Sequence, residues 1–334
     1  MEQEIIRLFR TLGLGTVIPP LTQVSGGLMH RMYRVNTSAK SYAVKCLNPE
    51  IMKRPEAKAN FARAERLESI IEKTDIPIVP ALVINGRKMQ CAGGKYFYIF
   101  DWCEGRITDW DHISDEQCCL AGNILGRIHA LDPESGMESS HCEREPEAEE
   151  SHIDWDQYTR EALNTENEIA GMLAENTDLL RYAERSLNGA RKKLPHLCCI
   201  SNGDMDPKNV MWDQGRPCVI DLECLDYGNP VSHVLELALQ WSGITTCSLE
   251  LSRIRAFFKG YLAACDNGFR DYAEISGLAY SWIEWLEYNI QRALGQCIDE
   301  DERQLGIEEA VRTLKRIQYI HDHEEKIRRE LEQL

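Results

Sequence analysis

Ser201-Asn202-Gly203-Asp204-Met205-Asp206-Pro207-Lys208-Asn209-Val210, continued by Val219-Ile220-Asp221-Leu222-Glu223, is the part of the chain on which the fold reading turns. Asp204 and Asn209 stand at the two ends of a polar loop. Cys218-Val219-Ile220 is a short apolar run that reads as a buried strand, and Asp221 follows it directly. One carboxylate and one amide would then sit on a loop, with a second carboxylate at the end of a neighbouring strand. Such hard oxygen ligands suit one or two magnesium ions. The same residue types also make an Asx-rich turn ahead of a hairpin, so the surrounding chain has to decide.

Upstream, Ser25-Gly26-Gly27 is a turn signal, and strand-like runs follow at Met32–Val35 and Tyr42–Leu47. Lys45 lies on the second run, flanked by apolar residues. Residues 55–73 show helical spacing through Phe61, Ala64, Leu67 and Ile71, with Glu56, Glu65 and Glu68 among them. Residues 81–85 and 96–100 read as two further strands. Beyond Trp102 the grammar becomes helical, over 114–131, 155–190, 231–242, 249–265, 271–294 and 304–333. An acidic stretch at 133–151 reads as a connection. The expected organisation is a strand-rich part over 1–100, a connector at 101–105 and a helical part over 106–334.

The D-x-x-x-x-N of Asp204–Asn209, the spaced I-D-L-E ending at Glu223 and the strand lysine of Tyr42-Ala43-Val44-Lys45 resemble the aminoglycoside phosphotransferase and choline kinase superfamily. That resemblance covers residues 21 to about 230. It implies an α+β, bilobal protein-kinase-like fold with a small β-rich N-terminal lobe and a larger helical C-terminal lobe. It implies an ATP- or GTP-dependent phosphotransferase that moves the γ-phosphate to a hydroxyl of a small, amine-bearing molecule, aminoglycoside-like or choline-like. In such an enzyme Asp204 is the catalytic base, and Asn209 and Asp221 hold Mg2+ with Glu223 assisting. Lys45 grips the α- and β-phosphates, and Ser25, Gly26 and Gly27 cover them. A glutamate of the 55–73 helix pairs with Lys45. The resemblance favours Glu65, while helical geometry places Glu68 nearer the apolar stripe. Asp101 and Cys103 offer main-chain atoms to the adenine. Two departures stand out: Asn202 occupies a position where the family usually has histidine, and the family's D-x-x-x-D-L-A is altered around Ser232–Ala238.

Acceptor selection is expected from the helical part. Trp282, Glu284 and Trp285 lie together in S-W-I-E-W-L-E-Y-N, and a tryptophan-plus-carboxylate surface would suit a cationic acceptor. The same tryptophans also read as core packing residues. Asp109, Asp111, Asp115 and Glu116 read as acids at a helix start capped by Ser114. His129, in L-x-x-L-H fashion, reads as structural.

With 334 residues, two cores are expected. The formal charge of −16 argues against nucleic acid and anionic membranes as partners, and fits a cytoplasmic protein. The 13 cysteines include no CxxC pair and read as reduced thiols. Two other readings stay open: a metabolic or spore-coat-associated kinase-like protein without an antibiotic substrate, and a non-catalytic nucleotide-binding scaffold.

Overall fold

The computed structural model describes residues 1–24, 30–131 and 150–334. The chain divides into two compact units, Met1–Thr108 with Pro207–Asp226, and Asp109–Asp206 with Tyr227–Leu334. The 207–226 hairpin thus groups with the strands, whereas its sequence position suggested the helical part.

In the first unit, helix α1 (Glu2–Leu12) turns Ile5, Leu8 and Phe9 to one side. Gly13 stops it in the left-handed region. Strands β1 (Thr22–Val24), β2 (Arg31–Asn36) and β3 (Ser41–Cys46) lead through α2 (Pro49–Met52) to α3 (Ala57–Ile71). Strands β4 (Gln90–Ala92) and β5 (Lys95–Asp101) complete an antiparallel sheet of order β1-β2-β3-β5-β4. The two-residue period of a strand sends alternate side chains to opposite faces. Val44, Phe97 and Ile99 go to the α1 face with Val35 and Tyr42. Tyr98 goes to the other face, where Phe61 of α3, Leu47 and Ala81 pack. Lys45 pairs with Tyr98 across β3 and β5, so it shares that second face.

The expected strand at 81–85 is not formed. Ala81 makes a single bridge to Phe100, and Asn85 and Gly86, both at positive φ, turn the chain back at once. A second small sheet orders β6 (Arg106–Ile107), β8 (Val210–Asp213) and β9 (Arg216–Val219).

The second unit holds α4 (Asp115–His129), α5 (Trp155–Asn164), α6 (Ala170–Arg191), β7 (Cys199–Asn202), α7 (Pro230–Trp241), α8 (Leu251–Leu262), α9 (Trp282–Ala293) and α10 (Glu300–Leu331). Ser114 caps α4 in a reciprocal box with Gln117, as its position suggested. The expected single helix over 155–190 is two. Glu166 is left-handed, and the Asn167 side chain donates to the Ala293 carbonyl and accepts from the Ile169 amide. The 271–294 helix likewise begins as a 3-10 segment, Tyr272–Ser281, before α9. Most of the acidic 133–151 stretch lies outside the described residues. Among the described residues eleven cysteines are free thiols, with Cys91 and Cys224 exposed, but Cys198 is disulfide-bonded. That corrects the expectation of reduced thiols throughout, because spacing in the sequence does not show which sulfurs lie within bonding reach. Among the described residues no helix is long and apolar enough to cross a membrane.

Helices α4 and α8 approach until their backbones touch. A Cβ on Gly122 would lie 2.0 Å from the Phe257 carbonyl oxygen, and one on Gly260 would lie 1.8 Å from that of Cys119. Only glycine fits, because backbone cannot rotate aside as a side chain can. Gly122→Ala or Gly260→Ala should therefore force the helices apart and cost about 1–3 kcal/mol or more. Urea unfolding checks this: an unchanged midpoint in both variants would contradict the close crossing.

Candidate active site

Within the first unit the site grows from the base of the β8–β9 hairpin. Gln214 and Gly215, both at positive φ, make its turn, and Val210 pairs with Val219. Asn209 and Ile220 therefore stand opposite each other just outside the pairing, and the Ile220 amide donates to the Asn209 carbonyl at 2.9 Å. Asn209 closes a 3-10 turn and is buried. Asp221 comes next, with φ 60° and ψ 65°. A left-handed aspartate is uncommon and redirects the chain sharply out of β9.

That bend delivers two carboxylates to one ammonium. Lys45 Nζ lies 2.6 Å from Asp221 Oδ1 and 2.6 Å from Glu223 Oε2. Lys45 is only 5% exposed, so it could not stay charged there without such partners. Burial alone would favour loss of its proton, but the two carboxylates outweigh burial and raise its pKa. Burial would likewise raise the pKa of Glu223. The hydrogen bond from His30 and the Lys45 charge reverse this and hold it down to about 2. His30 Nδ1 accepts the Asn48 amide at 3.0 Å, so the proton sits on Nε2, 3.1 Å from Glu223. Sequence reasoning missed His30, since nothing in its own neighbourhood signals the contact.

The glutamates of α3 do not take the expected partner. Glu65 accepts the Tyr98 hydroxyl at 2.8 Å. Glu68 accepts the Ala81 amide and pairs with buried Lys88 at 2.8 Å, and its pKa is raised by burial despite that lysine. Among the described residues the ion pairs of Lys45 go to Asp221 and Glu223 instead. The cause is the β3–β5 register, which sets Tyr98 beside Lys45 with its hydroxyl toward Glu65. Glu65 and Glu68 still line one small cavity with Lys45, Tyr98, Phe100 and Asp221. At about 20 Å3 it has room for about one water.

The connector follows β5. Asp101 pairs with Lys40, the Trp102 amide donates to the Ser41 carbonyl at 3.3 Å, and the Arg34 guanidinium stacks on the Trp102 ring at 4.3 Å. The Cys103 thiol points at the Glu104 carbonyl. Ser25, Gly26 and Gly27 lie outside the described residues.

The second unit carries Asp204 just beyond β7. Its amide donates to Asn202 Oδ1 at 3.1 Å, a local Asx turn. The Trp241 indole donates to the Met205 carbonyl at 2.9 Å, anchoring the residue after Asp204. The three residues expected to select an acceptor have partners within the chain. Trp282 carries the Arg316 guanidinium 3.8 Å from its ring, Glu284 pairs with Arg191 at 2.7 Å, and Trp285 stacks on Tyr288 at 5.3 Å. Burial lowers the pKa of Arg316 to about 10. A cation does sit on tryptophan here, and it belongs to the protein.

Magnesium commonly takes one or two carboxylates and completes its shell with substrate phosphates and water. The donor set at the hairpin base fits that ion. Asp221 and Glu223 already share one cationic centre, the Lys45 ammonium, and Asn209, whose side chain is a neutral amide, stands opposite Ile220 at the hairpin base.

The profile of the phosphotransferase enzyme family, APH, matches residues 20–266, and the chain belongs to that family. A comparison with curated proteins finds no match. Among solved structures, a spectinomycin phosphotransferase in complex with ADP and its antibiotic is similar at TM-score 0.69 and 13% identity, over 95% of this chain and 97% of that one. An amicoumacin kinase in complex with AMP-PNP and Ca2+ is similar at 0.61 and 13%, over 95% and 96%. An ethanolamine kinase of Plasmodium vivax is similar at 0.57 and 16%, over 88% and 81%. These likenesses show the shared kinase-like fold.

Removing the ammonium while keeping its partners would leave two carboxylates close together in a poorly solvated place. Lys45→Met should therefore cost about 3–5 kcal/mol at neutral pH, read from urea unfolding. A loss under about 1 kcal/mol, the scale of an exposed pair, would contradict the buried pairing. A second test lies in α7, where burial raises the Glu236 carboxyl to about 7, helped by Glu284 and opposed by Arg191. A raised acid costs stability as pH climbs from its unfolded value near 4.5 through 7. Glu236→Gln should raise Tm by about 2–4 °C or more at pH 8 and leave it nearly unchanged at pH 4.5. A gain independent of pH would count against the assignment.

Proposed function

We propose that this chain transfers the γ-phosphate of ATP, or of GTP, to a hydroxyl of a small amine-bearing molecule. The observation that carries the reading is the buried Lys45 ammonium, shared between Asp221 and Glu223 beside the hairpin base that holds Asn209. Family membership supplies the reaction class. Solved relatives named for spectinomycin, amicoumacin and ethanolamine support small acceptors as a class.

In this reading Asp204 orients the acceptor hydroxyl and takes its proton as the bond to phosphorus forms. Lys45 exchanges its carboxylates for the α- and β-phosphates. Asp221 and Asn209, with Glu223, hold Mg2+, which when bound neutralises charge on the phosphates. Glu65, released by Tyr98, becomes free to hold Lys45 toward the nucleotide. Main-chain atoms of Asp101 and Cys103 meet the adenine. The acceptor's amine would be met by carboxylates of the second unit, where Glu284 first has to give up Arg191.

Asp204→Ala tests the assignment. Turnover on a panel of aminosugars and amino alcohols should fall by about 10²–10⁴-fold. The thermal shift given by ATP with Mg2+ should persist. Wild-type turnover in that variant would exclude Asp204 as base. A nucleotide shift with no transfer to any acceptor, even in the unaltered protein, would favour a binding scaffold instead.

A further inference from the structure

Ser201 stands three residues before Asp204, is 1% exposed, and meets two imidazoles at once. Its Oγ lies 2.8 Å from His129 Nε2 and 2.6 Å from His233 Nδ1. On its other side His129 Nδ1 lies 3.0 Å from the Tyr261 hydroxyl. Three elements of the second unit, α4, β7 and α7, thereby meet at one hydroxyl group, and α8 joins them through His129.

Two opposite proton directions satisfy this cluster. Asn267 Nδ2 donates to the Tyr261 oxygen at 3.4 Å, and the Tyr261 hydroxyl has two acceptors in reach, His129 Nδ1 at 3.0 Å and Cys265 Sγ at 3.8 Å. In the first direction Tyr261 donates to His129 Nδ1, His129 Nε2–H to Ser201 Oγ, and Ser201 to His233 Nδ1. In the second Tyr261 donates to Cys265, His129 Nδ1–H to Tyr261, Ser201 to His129 Nε2, and His233 Nδ1–H to Ser201. In both, the Ser201 hydroxyl links the two rings and His129 is neutral. For His129 this agrees with a pKa lowered well below 6.5, first by burial and then by the neighbouring His233.

The His233 ring also packs close to the loop. A Cβ on Gly203 would meet its Cε1 and Nε2 at 3.8 Å, ordinary contact, and one on Gly228 would fall 2.3 Å from Cε1. The ring is thus seated on Gly228, beside the residue that directly precedes Asp204.

We infer that His233 is a positioning residue: through Ser201 Oγ, and from its seat on Gly228 beside the loop, it fixes where the chain places Asp204. This rests on the reading of Asp204 as catalytic base. His233 touches no reacting atom and acts through the loop. A displacement of about 1 Å in a reacting group can cost on the order of 10²-fold in rate, so loss of this footing should appear in turnover rather than in substrate affinity.

The test compares His233→Leu, which removes the partner of Ser201 Oγ, with His233→Asn, whose side-chain amide can offer a donor or an acceptor near the Nδ1 position. In His233→Leu, kcat should fall about 10–100-fold, with KM for nucleotide and acceptor changed less than about threefold. His233→Asn should recover most of kcat. Amide hydrogen exchange at residues 200–204 should be faster in His233→Leu and near the wild-type rate in His233→Asn. Ser201→Ala, in case His233→Leu does not fold, should lose the same factor in kcat, and adding it to His233→Leu or His233→Asn should bring no further loss beyond its own. Wild-type kcat and exchange in His233→Leu would overturn the inference. So would a His233→Asn as impaired as His233→Leu, because ring volume would then be the cause. If the unaltered protein transfers no phosphate, the proposed function fails, while the exchange rates still decide whether His233 holds the loop.

Discussion

One buried ammonium holds together segments 176 residues apart in the chain. Lys45 reaches from the middle of the sheet to Asp221 and Glu223, and each of the three is tolerable there only because of the others. An unpaired charge at that depth would cost several kcal/mol, so the bend at Asp221, the seat of His30 and the return of the hairpin to the strand-rich unit all depend on the same contact. The arrangement also carries a latent conflict. A lysine bound to carboxylates is unavailable to phosphates, and the cavity beside it is closed down to about one water. Under the proposed function, ligand entry has to reorganise these charges, and a polyvalent anion arriving with a divalent cation would replace both partners together.

What was legible in the sequence was local. Lys45 on a strand, the loop from Asp204 to Asn209, and Asp221 after an apolar run are patterns of a few residues each, and the structure forms each where the pattern lies. The helical spacing of α3 and α4 was legible for the same reason. Contacts that depend on register were not. Glu65 meets Tyr98 because β5 sets that tyrosine opposite Lys45, which the sequence of α3 does not contain. The break between α5 and α6 depends on an Asn167 bond to a carbonyl 126 residues away. Nothing in the sequence singles out Ser201, and its significance appears only when α4 and α7 bring His129 and His233 to it.

The acidic composition reads differently once pairing is considered. Many of the acids are committed locally, as in the runs of Glu and Arg along α10 where Glu300 meets Arg303 and Glu325 meets Arg328 and Arg329. Pairs of this exposed kind contribute little to stability. Glu236 differs, since burial keeps its proton to about pH 7. Net charge therefore says little about the field near any one site, where a few buried groups dominate.

Where Gly122, Gly126 and Gly260 let two backbones meet, missing side chains act as a ruler. The spacing of α4 and α8 is set by peptide groups, which do not change from residue to residue, and at one end of that crossing His129 meets Tyr261. Drift in side-chain size elsewhere along these helices thus leaves that distance alone. The polar core of the unit inherits a tolerance finer than soft side-chain packing could hold, from positions that carry no chemistry of their own.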